Sequence, residues 1–212
     1  MKTKVLYHRG CNDGFAAAYC AWTVLGDSAE YIGVSYGEDP PTINEGDRIY
    51  VVDFSYPREV MVSWEKIAST LLVLDHHKTA QEALLGLSFA SFNMNKSGAV
   101  LAWEYWHPNS RVPTLIQYVQ DRDLWRKELT FSDEVFVMLR SFKQEFEVWD
   151  TLAHLSQDDF MSLARMIGTP ILEKRQRDVE AIASTYTWTE IGGFDILPTL
   201  RVRCVWGFLK SL

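Results

Sequence analysis

Short apolar runs of strand length alternate along the chain with stretches of helical spacing. Lys4-Val5-Leu6-Tyr7-His8, Tyr31–Tyr36, Arg48–Val52 and Thr70–Leu74 are each apolar or β-branched and bounded by polar or turn residues. Burial on both faces is what a parallel sheet asks of its strands, and these runs fit it. Between them, Phe15 to Leu25 carries Ala16, Ala17, Ala18, Ala21 and Leu25 and predicts a helix. Gly37 to Gly46, with Pro40 and Pro41, predicts a loop. Pro57 is placed for the first turn of a helix running to about Ala68, and Lys78 to Leu85 predicts another.

Leu87–Ala90 reads as a short strand and Ala99–Trp106 as a helix with Ser97 as N-cap. Val112–Val119 is a further helix. Phe131 to Leu155 predicts two helices with Phe136, Leu139, Phe142, Phe146 and Trp149 as core. Asp159 to Tyr186 reads as one long helix, and Thr187 to Leu200 as a strand pair turning at Gly192-Gly193. The expected fold is α/β, a doubly wound and mainly parallel sheet flanked by helices, followed by a helical segment and a short C-terminal tail. Residues 1–155 would form the α/β domain, 156–186 a connecting helix and 187–212 a remnant or arm.

Composition changes this picture only a little. A chain of 212 residues with 47% hydrophobic and 23% charged residues can bury a sizeable core. With 21 basic against 28 acidic side chains the net charge is −7, so no general basic surface for long duplex nucleic acid is expected. Three scattered cysteines, Cys11, Cys20 and Cys204, offer neither a disulfide framework nor a thiolate zinc site, which fits a reducing cytoplasm. No signal peptide or membrane-spanning run is seen, so no membrane partner is expected.

The chemistry lies at the strand ends. Three apolar strands finish in His8, in Asp53 and in Asp75-His76-His77, and Asp13 follows in the loop after the first. Taken singly, Asp13 and Asp53 read as N-caps and His8 as a satisfied histidine. Taken together they converge, because ligands in open α/β sheets bind where loops leave the carboxyl ends of the strands. A set of Asp and His without thiolates suits Mn²⁺ or a similar divalent ion. Ser97 opens a helix whose N–H groups form a ready anion site. Asp121-Arg122-Asp123 stands at the carbonyl end of a predicted helix, where anions are disfavoured unless a cation is near. Trp22, Trp103, Trp106 and Trp125 read as core.

In order along the chain these residues resemble the motifs of the DHH phosphoesterases. His8 with Asn12-Asp13-Gly14 looks like motif one, Asp53 like motif two, Asp75-His76-His77 like motif three, and Asp121 in Gln120-Asp121-Arg122-Asp123-Leu124-Trp125 like motif four. The resemblance covers roughly the first 185 residues and includes the Ser97-Gly98-Ala99 helix start. It implies that Asp13, Asp53, His76 and Asp121 hold one Mn²⁺. His8 and a bridging Asp53 contribute to a second, and His77 touches substrate phosphate or orients a ligand. Two departures stand out. Motif one offers a single Asp13 with Cys11 and Asn12 where many relatives have two carboxylates, leaving the second position open among Asn12, Cys11 and substrate-dependent filling. The usual second domain has no room, so the last segment reads as a remnant, a minimal substitute or a dimerisation arm of a homodimer.

The expected activity is hydrolysis of a phosphodiester or phosphoanhydride bond by metal-activated water. One or two Mn²⁺ ions, with Mg²⁺ or Co²⁺ as substitutes, would serve a small phosphorylated substrate such as a short single-stranded RNA or DNA. Asp13, Asp53 and His77 would carry the chemistry, while Ser97, Arg122 and His77 would contact phosphate. Lys78 and Arg126 are further candidate cations. Three alternatives stay open: an exopolyphosphatase-like hydrolase, a metal- and phosphate-binding module with little turnover, and an interaction protein.

Overall fold

The computed structural model describes residues 1–184 and the backbone of 189–191 and 194–196. Its sheet consists of β1 (Thr3–His8), β2 (Ala29–Val34), β3 (Arg48–Val52), β4 (Thr70–Asp75) and β5 (Ala90–Phe92), all parallel and in the order β2-β1-β3-β4-β5. This is a doubly wound arrangement, and its strand order reverses at β1 and β3, where the crevice of such folds opens. The expected fold class is therefore the one found.

Adjacent strand residues point to opposite faces, and the paired apolar residues of the runs explain how one sheet supports two cores. Val5, Val52 and Leu74 face a cluster built with α1 (Asn12–Leu25), α4 (Gly98–Trp106), α5 (Thr114–Asp123), α6 (Ser132–Ser141) and α7 (Phe146–Ala153). Leu6, Val51 and Val73 face the other, with Phe54, Met61 and Trp64 of α2 (Arg58–Glu65) and Leu84 after α3 (Lys78–Ala83). Burying each such side chain contributes about 1.5–3 kcal/mol.

Small residues set the approach of α1 to α4. Ala16, Ala17, Ala21, Ala99 and Ala102 are fully buried, and the Cys20 thiol donates to the Ala99 carbonyl at 3.6 Å. The close packing lays the two helix N-termini side by side. Gly14 lets the start of α1 lie close against the end of β1, since a Cβ there would overlap the His8 carbonyl oxygen and lie 2.8 Å from the His8 Cβ. Gly14→Ala is expected to lower stability by about 1–3 kcal/mol, the usual cost of overpacking. Urea unfolding would measure the change, and an unchanged midpoint would refute the account.

Several boundaries differ from the sequence reading. The second strand lies two residues earlier, at 29–34, and Tyr36 stands in the turn beyond it. The helix after Pro57 ends at Glu65, with Ile67 and Ala68 turning back to the Trp64 carbonyl. The short strand is at 90–92 because Leu87 and Ala90 close turns onto Leu84 and Leu87. The helix expected over 112–119 runs instead from Thr114 to Asp123, which places the acidic pair inside its last turn.

The chain divides into two units, Met1–Thr169 and Pro170–Leu212. The helix α8 (Gln157–Ala183) crosses the boundary at Pro170, whose ring nitrogen cannot donate the backbone hydrogen bond of a helix interior. In the second unit β6 (Thr189–Ile191) pairs antiparallel with β7 (Phe194–Ile196). The end of the predicted long helix at Tyr186, the turn at Gly192-Gly193 and the tail beyond 196 lie outside the described residues.

Candidate metal centre

The carboxyl ends of β1, β3 and β4 and the first turn of α1 deliver His8, Asp53, His76, His77 and Asp13 to one crevice, as the strand-end pattern implies. Asp53 follows β3 directly and has a left-handed backbone, φ 52°. Asp adopts that conformation more readily than most residues, and at functional sites such backbone is commonly held in place by its surroundings. Here the Asp53 N–H donates to the Leu74 carbonyl at 2.9 Å, and Gly98 abuts the side chain. A Cβ at Gly98 would lie 2.5 Å from the Asp53 Cβ and 2.9 Å from its Oδ1.

His76 occupies the middle. Its Nε2 is 3.1 Å from Asp53 Oδ1, 3.5 Å from Asp13 Oδ2 and 3.4 Å from Asp123 Oδ2. A single imidazole nitrogen cannot donate to three carboxylates at once, whereas a cation can accept from all of them. Three overlapping donor groups follow: His8, Cys11 and Asp53; Asp53, His76 and His77; Asp13, His76 and Asp123. Asp53 and His76 are each shared by two.

The electrostatics are those of a cation site. Burial pushes the Asp53 carboxyl well above its usual range, and Asp13 and Cys11 add to the push. Asp123 is raised to about 7 by burial first and Asp13 second. Burial lowers His76 and His8, keeping neutral rings with lone pairs to offer. Buried His8 Nδ1 has no hydrogen-bond partner, 3.8 Å from Asp53 Oδ2. An orphaned imidazole nitrogen beside clustered carboxyls is a donor set that could hold a metal ion. Cys11, raised to about 11 chiefly by burial, is a neutral thiol in this setting.

His77 is positioned differently from His76. Its Nδ1 is 2.6 Å from Asp75 Oδ1, an atom that also accepts from the His76 and His77 backbone N–H groups. The fully buried Asp75 accepts from Ser55 Oγ at 2.7 Å through its other oxygen. The bond from Nδ1 to Asp75 raises His77 above the usual imidazole range, and the ring is partly exposed.

Asp121, Ser97 and Arg122 do not join the cluster. The Asp121 carboxylate accepts from the Glu128 N–H at 2.9 Å and the Leu129 N–H at 3.4 Å, folding the loop after α5. Asp123 takes the place expected of it. Residues two apart on a helix face different ways, and Asp123 lies four after Val119 and seven after Ile116, both buried. The same kind of spacing holds for Asp121, three after the buried Tyr118 and itself buried, so the pattern alone does not separate the two.

Ser97 caps α4, accepting from the Val100 N–H at 3.4 Å. Asp13 takes the next two amides, Gly98 N–H at 2.6 Å and Ala99 N–H at 3.0 Å, and Gln120 takes that of Ser97 at 3.1 Å. The α4 N-terminus thus binds an anion that the protein itself supplies, and its amides are engaged before any phosphate arrives. Arg122 lies 3.3 Å from Asp133 Oδ1, with its guanidinium 4.1 Å from the Trp125 ring centre and 4.7 Å from that of Phe136. Lys78 is exposed beside Glu82, and Arg126 donates to the Asn95 carbonyl. Trp125 is not core, being 55% exposed.

The Asp pair is separable by experiment. Asp123→Ala is expected to weaken Mn²⁺ binding at least tenfold, whereas Asp121→Ala should cost about 1–3 kcal/mol of stability through unpaired loop amides and leave Mn²⁺ affinity within a few-fold. Isothermal titration and urea unfolding check both, and the reverse pattern would return the ligand role to Asp121.

No family model matches the chain. An uncharacterized protein of Acanthamoeba polyphaga mimivirus is similar at 29% identity over 164 residues, which cover 69% of this chain and 39% of that one. The chain thus spans well under half the length of that relative. Among solved structures, the crystal structure of an uncharacterized protein from Helicobacter pylori matches with a TM-score of 0.58 at 13% identity, over 79% of this chain and 63% of the other. That likeness concerns the fold alone. Among the described residues no helix is long and apolar enough to cross a membrane.

Proposed function

We propose that this protein is a cytoplasmic, divalent-metal-dependent phosphohydrolase of the DHH type, cleaving a phosphodiester or phosphoanhydride bond in a small phosphorylated substrate. The observation that carries this reading is the His76 nitrogen within 3.5 Å of three separate carboxylates, with Asp53 shared between two donor groups. Asp13, Asp53, His76 and Asp123 would hold one ion, and His8 and Asp53 would contribute to a second, with Cys11 beside them as a neutral thiol. Mn²⁺ fits the Asp and His donors best, with Mg²⁺ or Co²⁺ as substitutes. When bound, the metal lowers the pKa of a water and neutralises phosphate charge.

The protein's own residues do the remainder. Asp75 fixes the His77 ring through Nδ1 and favours its protonated form, so Nε2 is left to donate to a phosphate oxygen as charge builds there. A well-placed donor of that kind is worth roughly 3–4 kcal/mol. Ser55 holds the second Asp75 oxygen and so keeps the ring from swinging. Asp13, clamped by two α4 amides, presents its remaining lone pairs in a fixed direction.

The test is Mn²⁺-dependent hydrolysis of an end-labelled RNA dinucleotide and of inorganic tripolyphosphate, beside Asp53→Asn and a chelator. Hydrolysis of either substrate that disappears in both controls supports the reading. Specific Mn²⁺ binding with neither substrate cleaved would favour a binding module.

A further inference from the structure

Of the three most exposed aromatic side chains among the described residues, one borders the candidate centre and a second follows one of its carboxylates by two residues. Tyr36, Tyr105 and Trp125 are 56%, 46% and 55% exposed. Tyr105 packs on Tyr50 and Trp106, away from it. Tyr36 stands edge-on to His8 with ring centres 5.5 Å apart, and edge-on to His77 at 6.4 Å, with Phe54 beneath it at 4.6 Å. It therefore borders the donor group of His8, Cys11 and Asp53.

Trp125 lies near the other group in sequence. It follows Asp123 by two residues, at the end of the helix that carries that carboxylate, and its ring lies on the Arg122 guanidinium. Lys127 is 5.5 Å from the same ring centre. The loop presenting it is firmly built, with Asp121 accepting four backbone amides, those of Arg126 and Lys127 at its carbonyl and of Glu128 and Leu129 at its carboxylate. Within this loop Trp125 and Lys127 are both left-handed, φ 55° and 52°. Left-handed backbone at a bulky residue is strained, by about 1–3 kcal/mol, and the strain here holds an indole out of the core.

A partly exposed ring fixed beside a candidate metal centre is a stacking surface for a planar base, and this holds without free charge at Trp125, where Arg122 and Lys127 are both paired with Asp133. Resting on the phosphohydrolase reading, we propose that Tyr36 and Trp125 are its specificity-determining residues, each stacking one base of a dinucleotide whose scissile phosphate lies between them at the metal centre. The substrate class is then a short single-stranded oligonucleotide, and base-free polyphosphate is disfavoured.

The experiment uses the Mn²⁺-loaded full chain, with an RNA dinucleotide and inorganic tripolyphosphate as substrates, on the parent and on Tyr36→Leu, Tyr36→Phe, Trp125→Leu and Trp125→Phe. Each Leu variant should raise KM for the dinucleotide about tenfold with kcat within threefold, a loss consistent with one stacked base. Each Phe variant should restore most of it, and the Leu effect on tripolyphosphate should be smaller than on the dinucleotide. Leu variants matching the parent on the dinucleotide would overturn the assignment. Tripolyphosphate cleaved while the dinucleotide is neither cleaved nor bound would overturn it too, yet leave the phosphohydrolase reading intact. Should neither substrate be cleaved, that reading fails, and anisotropy of a labelled dinucleotide decides the stacking roles: tenfold weaker binding in the Leu variants supports them, and equal binding refutes them.

Discussion

Asp53→Asn is expected to reduce Mn²⁺-dependent hydrolysis at least a hundredfold and to weaken Mn²⁺ binding by a similar factor. Loss of even an outer contact to a metal ligand costs about 10–100-fold, and Asp53 serves two donor groups at once. Asparagine is chosen because it keeps the volume and tolerates the left-handed backbone at φ 52°, so the change removes charge with little strain. Without metal the variant should be at least as stable as the parent near pH 7.5, since it deletes a buried carboxyl crowded by Asp13 and Cys11. Calorimetric titration and urea unfolding measure the two effects. Parent-like Mn²⁺ affinity in a folded variant would sink the ligand assignment.

Chelated protein is expected to lose stability as pH rises, and Mn²⁺ to return it. Asp123 has a folded value of about 7 against an unfolded value of about 3.9. A carboxyl with a raised folded value binds its proton more tightly in the native chain. Its stabilising contribution is therefore complete below about pH 4 and is lost by about pH 7. For Asp123 alone the loss is on the order of 4 kcal/mol, Asp53, shifted the same way, adds to it, and His8 and His76, lowered by burial, offset part of it below about pH 6.5. A cation favours the ionised carboxylates, so saturating Mn²⁺ should stabilise more at about pH 7.5 than at about pH 5. Urea midpoints with chelator and with Mn²⁺, taken across this range, give the comparison. A chelated protein whose stability is flat from pH 5 to 7.5 would contradict the crowding described for the centre.

The two effects share one cause. The fold brings carboxyls together faster than it brings compensating charge: Arg122 is occupied with Asp133, Arg126 with a carbonyl, and Lys78 lies exposed beside Glu82. Isolated buried carboxylates are costly, and a bound cation is the means that this donor set provides to relieve them.

The strands were legible because burial on both faces imposes continuous apolar runs, and a polar residue closing such a run is conspicuous. His8, Asp53 and the Asp75-His76-His77 turn could therefore be placed together from order alone, as could Ser97 at the start of α4. The division of labour inside the cluster was not legible. Asp121 and Asp123 are chemically alike and two residues apart, and their fates depend on which face of α5 meets the crevice and on a loop that folds back only in three dimensions. Asp13 could be expected near a metal, but its grip on the α4 amides follows from the alanine-lined approach of two helices far apart in sequence. Tyr36 and Trp125 carry no pattern that separates a core ring from an exposed one, since their setting comes from left-handed or turn backbone and from neighbours on other elements. The sequence by itself determined the sheet, its order of chemistry-bearing ends and the donor types, because local periodicity and residue chemistry suffice for those. Only tertiary structure decided which carboxylate faces His76 and that Tyr36 borders the centre, because orientation on a helix and the packing of distant segments are long-range properties.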